Sequence, residues 1–210
     1  MGSVSDTLAT IVEERAALAS DLDAIDEAAW TTPSLCPGWT VRDVLAHMTA
    51  LFRMTPLAFF GKLLASGLSP SKVEARDIEL ERGDGVRDTL ARFRAGTETK
   101  RRLHAVPTKT LLGETVLHAE DIRRPLGMVH AYPLSALVTI ADAYRRSNLV
   151  VGTKRRIAGL SLQASDVEWN TGSGPAVSGP MLSLLLAMAG RPAAIEDLHG
   201  EGVDLLRSRP

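Results

Sequence analysis

The sequence predicts a mainly α protein, with a helical bundle over residues 1–150 and a small α+β domain over 151–210. Three observations lead there. Ala, Leu and Val are plentiful while aromatic residues make up only 4% of the chain, a balance that suits helix packing better than a strand-rich sandwich. Apolar residues recur at helical spacing through much of the first 150 positions. Beyond Val151 the texture changes, because "IAGLSLQASDVEWNTGSGPAVSG" alternates apolar and polar residues and carries four glycines between 158 and 179, as short strands joined by turns do. A chain of 210 residues, 45% of them hydrophobic, is long enough to bury a sizeable core.

From Ser5 to about Ile25, Leu8, Ile11, Val12, Leu18, Leu22 and Ile25 form the apolar face of a first helix, with Glu13, Glu14, Arg15 and Asp21 between them. "WTTPSLCPGWT" then breaks the periodicity with two prolines and a glycine and ends in Thr40-Val-Arg-Asp43, a capping-box-like start with Asp in place of Glu. A second helix is expected from Thr40 to Leu64, kinked at Pro56. Residues 66–85 are polar and rich in turn formers and read as a long loop. Asp84 is placed to cap a third helix running to about His104, with Val86, Leu90 and Phe93 inside. "LLGETVLHAEDIRR" gives a fourth, stopping before Pro125 and Gly127, and Leu134 to Leu149 a fifth. After the strands, "PMLSLLLAMAG" reads as a buried helix with Gly190 as C-cap, and "RPAAIEDL" as a short last turn.

Bulk properties narrow the function. A net charge of −1 supplies no field to gather phosphate backbone or anionic lipid, so no nucleic-acid partner is expected. The longest apolar run, around Leu184 to Ala189, falls far short of the roughly 20 residues of a membrane crossing. Met1 to Thr10 shows no basic segment leading into an apolar one. The expectation is a cytoplasmic protein with no membrane partner; monomer and homodimer are both compatible with the sequence. Cys36 is the sole cysteine, which excludes an internal disulfide and a thiolate-rich zinc site, including the Cys-based site of a zinc-dependent anti-sigma factor.

Any metal must therefore be held by His and carboxylate. Glu114 and His118 stand four apart in the fourth helix, on one face and within reach of a single ion. Taken alone, such a pair is more often a helix-stabilising contact worth a few tenths of a kcal/mol. Two facts weigh against that reading. Leu111, Leu117 and Ile122 surround the pair, and a carboxylate buried there without a partner would cost several kcal/mol. His47, flanked by Val44, Leu51 and Met54, lies on the inner face of the second helix. His47, Glu114 and His118 would make a two-His, one-carboxylate set of the kind bundles build from inward-projecting side chains, with at least one coordination position open. Zinc suits these donors best, and nickel, iron and manganese also accept them.

"TPSLCPGWTVRDVLAHM" followed by "GETVLHAEDIRRPLG" resembles the DinB-like, mycothiol-dependent maleylpyruvate isomerase family. The tail "LSLQASDVEWNTGSGPAVSGPMLSLLLAMAGRPAAIEDLHGEGVDLL" is similar to that family's small C-terminal domain. The resemblance implies a DinB/YfiT-like four-helix bundle whose His, Glu, His triad falls on His47, Glu114 and His118. It implies an isomerase or S-transferase that uses mycothiol as a low-molecular-weight thiol cosubstrate and a small electrophilic, carboxylated substrate. In the isomerase reaction the thiolate adds to the cis double bond of maleylpyruvate, the resulting single bond rotates, and elimination gives fumarylpyruvate. It also points to Arg191, in the "GRP" segment, as the catalytic arginine that grips a substrate carboxylate; capping the carbonyls at the end of the preceding helix is the competing role for this side chain. The alternative function is a non-catalytic metal- or ligand-binding protein, or a stress-response protein, of the same fold.

Other residues carry weaker signals. Asp121 is placed to orient His118, though a surface pair with Arg124 is the simpler reading. Arg123 and Arg124 suit the last helical turn by charge alone. Cys36 is read as a packing residue, Trp30 and Trp39 as anchors of the loop between the first two helices, and Trp169 as core of the strand segment. Lys100, Arg101 and Arg102 read as a solvated face, and His104, His130 and His199 as surface residues.

Overall fold

The computed structural model describes residues 3–97, 107–148 and 151–209. By packing, the chain divides into two compact units, Val4–His130 and one built on Ala131–Pro210. The division thus lies ahead of the 150/151 boundary expected from texture, because the helix α7 (Leu134–Tyr144) buries Leu137, Ile140 and Ala141 within the C-terminal unit, where it packs against α9 (Met181–Met188).

The N-terminal unit is a bundle. Its first helix, α1 (Val4–Asp23), buries Ile11, Leu18 and Leu22. Helix α2 (Val41–Arg53) begins in a complete capping box: Thr40 Oγ1 accepts from the Asp43 N–H, and the Asp43 carboxylate accepts from the Thr40 N–H at 2.9 Å. The expected long, kinked second helix is two helices. Met54 and Thr55 adopt extended backbone, and α3 (Pro56–Ala65) starts with Pro56 in its first turn and the Thr55 hydroxyl accepting from the Ala58 N–H. Proline here opens a helix, where its missing N–H costs nothing, rather than bending one. The expected loop over 66–85 is corrected as well. It contains α4 (Pro70–Arg82), whose inward face is Val73, Asp77, Ile78 and Glu81. Two of those four are acids neutralised by Lys62 and Arg53, so a helical stripe was present but half of it was written in charged residues.

Helix α5 (Val86–Thr97) buries Leu90 and Phe93 as expected. Its start differs from the expected Asp84 cap, since the Asp84 N–H itself donates to Asp88 Oδ2 at 3.2 Å. The continuation toward His104, including Lys100, Arg101 and Arg102, lies outside the described residues. Helix α6 (Thr108–Arg123) is the hub, with every residue from Thr115 to Arg123 buried. Arg123 is no surface residue completing a helix dipole: it is fully buried, and its guanidinium joins Asp21 of α1 at 2.7 and 2.8 Å. Likewise His130 is drawn onto Glu14 of α1 at 2.7 Å rather than left in solvent.

In the C-terminal unit a short helix α8 (Thr153–Arg156) precedes a three-stranded sheet of order β2-β1-β3. Central β1 (Ser161–Ala164) runs antiparallel to β2 (Asn170–Gly172), with Ser161 opposite Gly172, and parallel to β3 (Ala176–Gly179), with Leu162 opposite Val177. Leu162 and Val177 are fully buried. Trp169 anchors this end of the sheet by donating its indole N–H to Asp142 of α7 at 3.2 Å. Helix α9 stops at the expected Gly190, which adopts φ +84° while the Arg191 N–H returns to the Leu186 carbonyl at 2.9 Å. A turn over Pro192–Asp197 and helix α10 (Val203–Arg207) complete the unit, and His199 is exposed as expected.

Candidate metal centre

The three residues singled out as ligands meet. One ligand-capable atom from each of His47, Glu114 and His118 lies within 4.8 Å of the others. Helix α6 supplies two of them because four residues make about one turn: His118 Nε2 stands 3.1 Å from Glu114 Oε2. Helix α2 supplies the third, and the His47 and His118 rings cross nearly edge to face with centroids 4.9 Å apart. Side-chain exposures of 13% for His47, 21% for Glu114 and 10% for His118 describe a largely buried cluster that solvent still reaches.

Asp121 belongs to this cluster and not to the surface. It is fully buried, and its Oδ2 is 2.9 Å from His118 Nδ1, while Arg124 pairs instead with Glu120 at 3.4 Å. Cys36 reaches the same carboxylate oxygen, donating its thiol at 3.1 Å, and lies 3.8 Å from His118 Nδ1. The Leu35 N–H also donates to the Asp121 carbonyl at 3.1 Å, so the proline-rich loop before α2 is stitched to α6 through the site. The sequence holds no histidine close to Cys36; the one it meets is 82 residues away. Trp39 packs on the His47 ring with centroids 4.9 Å apart, and Trp30 is buried.

Glu74 is the group sequence reasoning missed. It sits in α4, the segment read as loop, with Oε1 3.7 Å from His47 Nδ1 and 43% of its side chain exposed. The helical recurrence of Val73, Ile78 and Glu81 was the signal that could have located it.

The two imidazoles have opposite acid–base character. Burial and the neighbouring His118 charge push His47 down to about 4, against the pull of Glu114 and Asp121. Burial also disfavours a charged His118, but hydrogen bonds to Asp121, Cys36 and Glu114 outweigh it and raise this group well above the ordinary histidine range. Burial, opposed by His118 and reinforced by Glu114, raises Glu74. Cys36 is raised by burial first, with His118 pulling the other way.

Arg191 lies in the C-terminal unit, directly after the Gly190 cap, and its Nη1 donates to the Ala189 carbonyl at 2.9 Å. Its guanidinium therefore does touch the end of α9.

Fold and site together define a helical-bundle protein with a recessed two-histidine, one-carboxylate cluster. Residues 11–111, just under half of the chain, match the family model described as the mycothiol maleylpyruvate isomerase N-terminal domain. The crystal structure of the mycothiol-dependent maleylpyruvate isomerase matches with a TM-score of 0.64 at 19% identity, over 95% of this chain and 93% of that one. A histidine-to-alanine mutant of that enzyme matches with a TM-score of 0.61 at 18% identity and the same coverage. These likenesses establish a shared fold across both units. No curated protein sequence matches the chain significantly. Among the described residues no helix is long and apolar enough to cross a membrane.

Proposed function

We propose that this protein is a divalent-metal-dependent isomerase or S-transferase that uses mycothiol as cosubstrate and acts on a small, electrophilic, maleylpyruvate-like acid. The observation that carries this reading is the convergence of His47, Glu114 and His118 within 4.8 Å. Two neutral imidazole donors and one carboxylate fit zinc by ligand type. The 3.1 Å between His118 Nε2 and Glu114 Oε2 is a separation that two ligands bonded at about 2.0–2.2 Å to one ion readily adopt. When bound, the ion would favour the thiolate form of a coordinated thiol, the form that attacks an electrophile.

The chain's own residues do the rest. Helices α2 and α6 hold the donors in place before any ligand arrives, and burial of most of each side chain limits competing water. Thiol and substrate would reach the cluster where its side chains remain exposed. Arg191 is the candidate for the substrate carboxylate; its planar fork makes two parallel hydrogen bonds that lysine cannot. The assignment of the thiol as mycothiol rests on the family, and a cytoplasmic location accords with a small soluble thiol.

Turnover of maleylpyruvate, measured with and without mycothiol, tests the reading together with the metal content of wild type, His47→Ala and Glu114→Ala. The expected result is mycothiol-dependent fumarylpyruvate formation that both variants lose along with their metal. A rate no better than free thiol alone removes the isomerase assignment, and full metal retention by both variants removes the site.

A further inference from the structure

Both histidines of the cluster present Nδ1 to a carboxylate from outside the triad. On His118 it is Asp121, fully buried, with Oδ2 at 2.9 Å and further fixed by the Cys36 thiol at 3.1 Å and by the Leu35 N–H on its backbone carbonyl. On His47 it is Glu74, arriving from α4 with Oε1 at 3.7 Å and 43% exposed. The opposite nitrogen of His118, Nε2, already faces Glu114. An imidazole whose Nδ1–H is held by a carboxylate is locked in one tautomer and orientation, and its Nε2 becomes a more basic donor.

We propose that Asp121 and Glu74 are positioning residues that fix His118 and His47 as Nε2 ligands, the first as a rigid support and the second as a yielding one. The inference rests on the metal-binding reading above. The asymmetry follows from the surroundings. Asp121 cannot leave His118 without breaking its contacts to the 34–40 loop, whereas Glu74 stands half in solvent and closes on His47 by a small rotation or through one water. Helix α4 therefore contributes to the site without contributing a ligand, which gives its burial of Val73 and Ile78 a functional consequence: it sets how far Glu74 is from His47.

Long-range 1H–15N correlation of the histidine rings tests this in the metal-free and zinc-loaded protein. In the metal-free protein near pH 7, neutral His47 is expected as the Nδ1–H tautomer; after zinc addition, both rings are expected with the proton on Nδ1 and the metal on Nε2. Zinc on Nδ1 of either ring overturns the proposal. Competition titration with a chromophoric chelator supplies the second readout: Asp121→Asn is expected to weaken zinc about 10- to 100-fold and Glu74→Gln by a smaller factor, with helix content unchanged. Affinities within twofold of wild type for both variants also overturn it. Should Asp121→Asn fail to fold, the ring-nitrogen assignment in wild type decides. Absence of zinc uptake by wild type would instead refute the metal-dependent function, and the His47 tautomer in the metal-free protein would still judge the role of Glu74.

Discussion

In the metal-free protein, replacing His47 by Phe should abolish a specific part of the stability lost on acidification. The unfolded chain protonates His47 near its ordinary 6.5, whereas the folded state holds it neutral down to about 4, chiefly because of burial. Between those pH values the unfolded state binds more protons than the native state, so stability falls as pH falls. The separation from 6.5 to about 4, at about 1.4 kcal/mol per pH unit, amounts to about 3 kcal/mol once pH 4 is reached, and about 2 kcal/mol at pH 5. With 13% of its side chain exposed, His47 is buried enough for most of that figure to stand. His118 acts in the opposite sense: its raised native pKa gives stability that is full below 6.5 and is lost as pH rises through the native value. Urea unfolding of chelator-treated wild type and His47→Phe, followed by far-UV circular dichroism from pH 7 to pH 4, isolates the first effect as the difference between the two curves. A difference that stays constant with pH would refute the reasoning.

Asp21→Ala should destabilise the bundle by about 2–3 kcal/mol in urea unfolding, less than for a wholly buried pair because Asp21 is 36% exposed. Adding Arg123→Met should recover most of that loss, since the buried guanidinium is then gone as well; a double variant no better than the single one would contradict this. Thr40→Ala removes the hydroxyl of the α2 capping box and should cost about 1 kcal/mol, read as a lower urea midpoint at unchanged m. Gly172→Ala should cost at least about 3 kcal/mol in the C-terminal unit, because φ is +81° and a Cβ would lie 2.1 Å from the Leu160 carbonyl oxygen; Trp169 fluorescence reports it, and an unchanged midpoint would refute the clash.

The parts of the molecule legible in the sequence are those written in unambiguous residue types. Apolar spacing disclosed α1, α2, α5, α6 and α9, and alternation with glycines disclosed the small sheet. His47, Glu114 and His118 stood out because metal-capable side chains on inward helix faces are unusual, and the structure does bring them together. Helix α4 escaped because its buried face includes Asp77 and Glu81, whose polarity mimics a loop until their partners Lys62 and Arg53 are in place. Proline misled for the opposite reason: at Pro56 the local conformation of Thr55, not the proline, decides between a kink and a fresh start. Asp121 was visible but ambiguous. Spacing of three put it within reach of His118 and of Arg124 alike, and only the approach of Cys36 from a loop far away in sequence settles the matter.

The burial of α6 on all sides from Thr115 to Arg123 bears on how the protein could lose a bound ion. Amides of a helix enclosed in this way exchange with solvent only when the whole unit opens, so His118 and Asp121 ride on the last segment to come apart. Partial fraying elsewhere would leave that half of the cluster assembled. A cation leaving where the cluster is exposed would thus leave Glu114, His118 and Asp121 in place to take up another.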